Sequence, residues 1–209
     1  IAQSNGALSN AGTVTVSSGA TLRLENDITI ARPININGNG VSSGGAIRQI
    51  SGTNTLSATI TMQSDARIQS DGGLLTLSNA TSVSSAGFNL TFSGNGNMSI
   101  SGNLALNAGS VTKIGNGTTT FMVANTYTGG TTMSAGAINI RNANSLGTTG
   151  TIEVTSGGTL QLEGGITFSR AISINGNGTG NNGAIRGFGG SNTISSSIVL
   201  NGNARIYSD

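Results

Sequence analysis

The 209-residue chain has only 8% charged and 3% aromatic residues, one proline, 34 glycines and a net charge of +2. It contains no cysteine and no histidine, which excludes thiol chemistry, disulfide staples and the commonest general base and transition-metal ligand at neutral pH. Its nine Lys and Arg residues are spread along the chain and make no nucleic-acid footprint, and no apolar run approaches the length needed to span a bilayer.

The chain opens on Ile1-Ala2-Gln3-Ser4-Asn5, without a basic or apolar leader pattern, so an export signal or membrane anchor is expected outside this segment. Short alternating runs follow: Thr13 to Val16, Thr21 to Leu24, Ile34-Asn35-Ile36, and later Phe88 to Phe92. A period of two in runs of three to five residues reads as β-strand. Between the runs stand Ser18-Gly19, Asn37-Gly38, Gly44-Gly45, Asn95-Gly96, Asn116-Gly117, Gly129-Gly130, Gly157-Gly158 and Asn201-Gly202, each able to turn a tight corner.

Two folds fit this rhythm, an antiparallel sandwich or barrel of hairpins and a solenoid of stacked coils. Hairpins predict aromatic anchors and paired strands of similar length, whereas these strands are very short and aromatics are scarce. The expectation is therefore an all-β, right-handed, single-stranded parallel β-helix with about three short strands per coil. At roughly 20 to 25 residues per coil it would hold about nine or ten coils and form a rod of order 45 Å.

A long internal repeat dominates the chain. Shifted by 138 positions, residues 1–71 match residues 139–209, with about half of the aligned residues identical from Leu8 onward. Ile36-Asn37-Gly38-Asn39-Gly40 returns as Ile174-Asn175-Gly176-Asn177-Gly178, Ala46-Ile47-Arg48 as Ala184-Ile185-Arg186, and Ala66-Arg67-Ile68 as Ala204-Arg205-Ile206. The chain thus reads as a single β-helix segment, 1–209, holding about one and a half copies of the unit. It has the character of a window in a longer array, each unit of which would add about six or seven coils.

The run Ala124-Asn125-Thr126-Tyr127-Thr128-Gly129-Gly130-Thr131-Thr132-Met133-Ser134-Ala135-Gly136-Ala137-Ile138-Asn139-Ile140 resembles the signature of the autotransporter-associated β-strand repeat. Gly109 to Thr118 upstream, and Asn142 to Gly147 and Ser156 to Leu162 downstream, resemble the pieces that usually flank it. Met133 and Ala137-Ile138 depart from the commoner Ile or Val and Thr-Leu. The resemblance implies a parallel β-helix passenger exported to the bacterial cell surface, with no catalytic residues attached to the repeat.

Enzymatic β-helices cluster acids for acid-base work or calcium binding. Here Glu25 and Asp71 recur at Glu163 and Asp209 while Asp27 becomes Gly165, so the carboxylates behave as features of each unit. The Gly-rich stretches 37–45 and 175–183 contain no Asp, and Gly38-Asn39-Gly40 lacks the Lys and helix of a phosphate loop. No catalytic residue, metal or cofactor is expected. Thr pairs that shift register argue against an ice-binding face.

The recurrent arginines, Arg32 with Arg170, Arg48 with Arg186 and Arg67 with Arg205, are the candidate contact residues. They would serve solubility and edge protection, or form spaced cationic sites for acidic polysaccharide, lipid or a neighbouring filament. The expected function is a non-enzymatic stalk or adhesin scaffold at the cell surface. Its partners would be neighbouring copies of the repeat stacked end to end, and surface polysaccharide or host or biofilm matrix, without nucleic acid or membrane insertion. A self-assembling extracellular filament or sheath is the alternative, and a polysaccharide-active enzyme a more distant one.

Overall fold

The computed structural model describes residues 1–8 and 11–209. These residues form a parallel β-solenoid of about nine turns with about three strands per coil. Every strand pairing is parallel, so the sequence expectation of stacked coils holds and the hairpin alternative does not.

The reason lies in the alternation. In Leu22–Leu24, Ile34–Gly38 and Leu74–Leu77 the side chains that point inward are buried and those between them are partly exposed. Parallel stacking places each inward residue over an inward residue of the next coil, so aliphatic columns run along the axis. One column contains Leu22, Ile47, Ile68, Phe92, Lys113, Met133 and Val154. A second contains Val14, Ile34, Ile60, Val83 and Leu104. A third contains Ile30, Leu56, Leu77, Ile100, Phe121, Ile140 and Leu162. Phe92 and Phe121 meet across the interior with ring centroids 6.0 Å apart, so even the few aromatics are shared between faces.

Sequence equivalents do not share a face. Val154, the counterpart of Val16, stands in the column of Leu22 and Ile47, whereas Val16 stacks on Ile36 and Met62. Leu160 and Ile185, the counterparts of Leu22 and Ile47, stack in the third face on Ile138. From Leu22 to Val154 the column climbs six coils, and Val16 lies one face before Leu22. The 138-residue unit therefore spans six and one third coils, and each copy is turned by one face relative to the copy before it. The axial advance is about 30 Å at ~4.8 Å per coil.

Local structure nevertheless repeats. The 3-10 turns Val41–Ser43 and Thr179–Asn181 occupy equivalent positions, and in each a threonine hydroxyl, Thr21 or Thr159, accepts the first amide of the turn at 2.9 Å. Ser42 and Ser43 have positive φ, as do Gly180 and Asn181. Asn26 and Asp27 are replaced by Gly164 and Gly165 at the same left-handed corner, so the loss of Asp27 from the second copy preserves the backbone that the corner requires.

Corners are where the fold is least tolerant. Gly94 has φ +95, and a Cβ there would lie 1.9 Å from the carbonyl oxygen of Ser70 one coil below. Gly19 has φ +78 but open space around it. Gly94→Ala is expected to cost about 3 kcal/mol or more and Gly19→Ala about 1 kcal/mol, because only the first adds a backbone collision to the left-handed strain. Urea unfolding of the two variants beside the parent chain measures the difference, and equal losses would contradict the stacking of these corners.

Candidate functional site

The six recurrent arginines are placed at the surface, and each reaches a neighbouring coil. Arg32 donates to the carbonyls of Ala11 and Gly12, the latter at 2.7 Å. Arg170, its counterpart, donates to the carbonyls of Leu146, Gly147, Thr149 and Gly150 and so gathers a whole turn of the preceding coil. Arg67 and Arg205 bond the carbonyls of Ser43 at 2.6 Å and Asn181 at 2.8 Å, pinning the two equivalent 3-10 turns. Arg48 pairs with Asp71 at 2.6 Å, and Arg186 pairs with Asp209 through two bonds at 2.9 and 2.6 Å.

Donors and acceptors lie about one coil apart in every case, so these residues act first as staples between coils. They do not converge on one site, since the second copy of each is turned to the next face. Exposed pairs of this kind contribute little stability individually, about 0 to 1 kcal/mol each. Arg32, Arg67, Arg170 and Arg205 fix turns between strands, whereas Arg48 and Arg186 tie strands whose backbones are already bonded to one another.

The carboxylates are similarly engaged. Asp27 accepts the Thr53 amide, Asp65 the Asn89 amide, and Glu25 the side chains of Gln3 and Arg23. Glu163 accepts from Asn139 at 2.6 Å and from both forks of Arg141. Desolvation works against its charge, but the bonds from Asn139 and Arg141 together with the arginine charge hold its carboxyl below the usual range. Among the described residues there is no group of three or more His, Cys, Asp or Glu that could hold a metal ion. No helix among them is long and apolar enough to cross a membrane.

Two features escaped the sequence reasoning. Lys113 points inward from Val111–Lys113, between Phe92 and Met133 in the aliphatic column, and is 1% exposed. Its ammonium donates to the carbonyls of Ile114 at 2.9 Å, Gly115 at 2.6 Å and Ala135 at 3.5 Å, closing a corner from inside. The signal was present in the alternation, which sets Lys113 on the same side as Val111.

The other feature is a groove of about 440 Å³ along the third face. Its floor is the outward ladder Ser99, Thr120, Asn139, Gln161 and Arg186, one residue per coil. The 3-10 excursion Thr179–Asn181, anchored on Thr159, rises on one side of Gln161, and the Arg141–Glu163 pair lies on the other. At its end Arg186 stacks over Phe188, 4.8 Å from the ring centroid. The sequence signal here is a departure from the repeat, because Gln161 stands where the first copy has Arg23.

With its three faces and continuous internal columns, the protein belongs structurally to the parallel β-solenoids. Comparison with protein-family models, with curated proteins and with solved structures finds no match.

Two buried groups give the solenoid a defined pH response. Burial pushes Lys113 down from its ordinary 10.5 to about 8. Burial pushes the Tyr127 hydroxyl above its ordinary 10.0, against the opposing hydrogen bond to Thr131 and the charge of Arg170. Between pH 8 and 10 the unfolded chain keeps the Lys113 proton that the folded chain releases, so stability rises with pH. Integrated to the ordinary lysine value the gain approaches about 3 kcal/mol. Above pH 10 the unfolded chain loses the Tyr127 proton that the folded chain retains, and stability falls. Urea titrations from pH 7 to 11 are expected to show a maximum near pH 10, with Lys113→Met removing the rising limb and Tyr127→Phe the falling one.

Proposed function

We propose that this chain is a non-enzymatic structural segment of an exported bacterial surface protein of autotransporter-passenger type, serving as a rigid stalk or adhesive scaffold. The observation that carries the proposal is the continuity of the inward columns. From Leu22 to Val154 each coil rests on the one before through parallel backbone bonding and a shared dry interior, without a hinge in the column. Such a rod resists bending and leaves little backbone for proteases to capture. The signature-like run from Ala124 to Ile140 supports the passenger assignment, because it falls within this stack, with Thr131–Met133 and Gly136–Ile140 paired in register on both sides.

In this role the staples formed by the recurrent arginines keep the corners fixed, and surface polysaccharide or matrix contacts are made by the outer faces.

Antibodies raised against the segment test the surface assignment on intact cells that produce the parent protein. Labelling of unpermeabilised cells to the same level as lysed cells is the expected result. Labelling only after lysis would overturn it.

A further inference from the structure

We infer that the groove on the third face is a binding site for an extended, uncharged polysaccharide chain laid along the solenoid axis. This deepens the adhesive-scaffold proposal by naming a site and a ligand class, yet the rod would remain a rod if the groove bound nothing.

The first observation is hydrogen-bonding capacity left unused in a concave place. Gln161 is only 8% exposed although it points away from the core, and its carboxamide has no hydrogen-bond partner among the described residues. Because its amide atoms are not sealed from solvent, they open into the groove that Gln161 lines. Asn139, beside it in register and 4% exposed, gives its amide to Glu163 while its carbonyl oxygen remains without a partner. The hydroxyls of Thr120 and Ser99 continue the row, likewise without hydrogen bonds among the described residues. Open to solvent and without protein partners, the Gln161 amide is hydrogen-bonded by water in the free protein, and a ligand's hydroxyls can take the place of that water.

The second observation is that the groove breaks the repeat. At the equivalent place in the first copy Arg23 reaches Glu25 at 3.3 Å. In the second copy Gln161 replaces that arginine while Arg141 stands where the first copy has Gln3, so Glu163 keeps a partner from the coil below and the space above Gln161 is left open and uncharged.

The chemistry of the lining selects the ligand. Hydroxyls and carboxamides both donate and accept, which matches sugar hydroxyls, themselves donors and acceptors at once. Both flanking charge pairs, Arg141 with Glu163 and Arg186 with Asp209, are internally neutralised, so the site offers no free cation to an acidic polymer or to nucleic acid. A peptide strand would seek unpaired backbone, and the strands beneath this groove are already bonded on both sides. The ladder advances by one coil, ~4.8 Å, per residue, close to the advance of one sugar ring in an extended chain. Successive sugars can therefore meet Ser99, Thr120, Asn139 and Gln161 in turn.

Calorimetric and NMR titration of the 209-residue chain with cellohexaose, xylohexaose and mannohexaose tests the inference, with hexagalacturonate as the acidic comparison. At least one neutral hexasaccharide is expected to bind with a millimolar or tighter Kd, shifting the Gln161 side-chain amide resonance. Gln161→Arg, which restores the residue of the first copy, and Thr120→Val are each expected to weaken it tenfold or more. Thr112→Val, on the neighbouring face, is expected to leave it unchanged, and far-UV circular dichroism shows whether each variant keeps the fold. Absence of binding by all three neutral sugars, tighter binding of hexagalacturonate, or undiminished binding by a folded Thr120→Val chain would overturn the site. Small-angle scattering of the same samples reads the rod shape separately, so failure of the groove and failure of the scaffold proposal are distinguishable.

Discussion

The molecule depends on the vertical contact between one coil and the next. Each strand has only two to five residues in most coils, too few to persist alone. Stacked in parallel, the strands satisfy one another's backbone and close an interior that aliphatic side chains fill in columns. Corners, staples and grooves are consequences of that contact: where coils match, glycine carries the turn, and where the chain bulges outward, an arginine or threonine ties the bulge to its neighbour.

This contact also explains how one sequence unit can occupy different faces. The unit of 138 residues spans six and one third coils, so Leu22 and its counterpart Leu160 lie in different columns while keeping the same inward role. The three faces must then be nearly interchangeable in shape, and the repeated sequence must specify strand and corner without specifying a face. The column spacing tolerates this because excess length is expelled sideways. Leu22 to Ile47 takes 25 positions and Lys113 to Met133 takes 20, the difference being absorbed in the excursion around Val41–Ser43. Surface features carried by the unit consequently wind around the rod.

Much of the fold was legible in the sequence. Runs such as Leu22–Leu24 and Ile34–Gly38 declare their inward residues by alternation, and Asn-Gly and Gly-Gly pairs mark corners. The turn of one face per unit was not legible, because strand counting needs all strand positions, and stretches such as 124–130 follow the stack without a regular strand pattern. The arginines were found by recurrence, but their reach was hidden: the carbonyls that Arg170 gathers lie 20 to 24 residues away, and only coil length brings them close. The burial of Lys113 is not legible because a charged residue inside an aliphatic column is rare, and the carbonyls that accommodate it come from a corner and from the next coil. The groove was invisible for the opposite reason, since recurrence draws attention to what copies share and Gln161 is where they differ.

Cysteine cross-linking tests the stacking and the turn of one face together. Thr132 and Glu153 are register partners in adjacent coils on the face that the second copy enters, and Thr15 and Asn35 are register partners within the first copy. The account predicts that Thr132→Cys with Glu153→Cys forms an intramolecular disulfide on mild oxidation as readily as Thr15→Cys with Asn35→Cys. A bridge in the second pair with none in the first, in chains that remain folded, would contradict it.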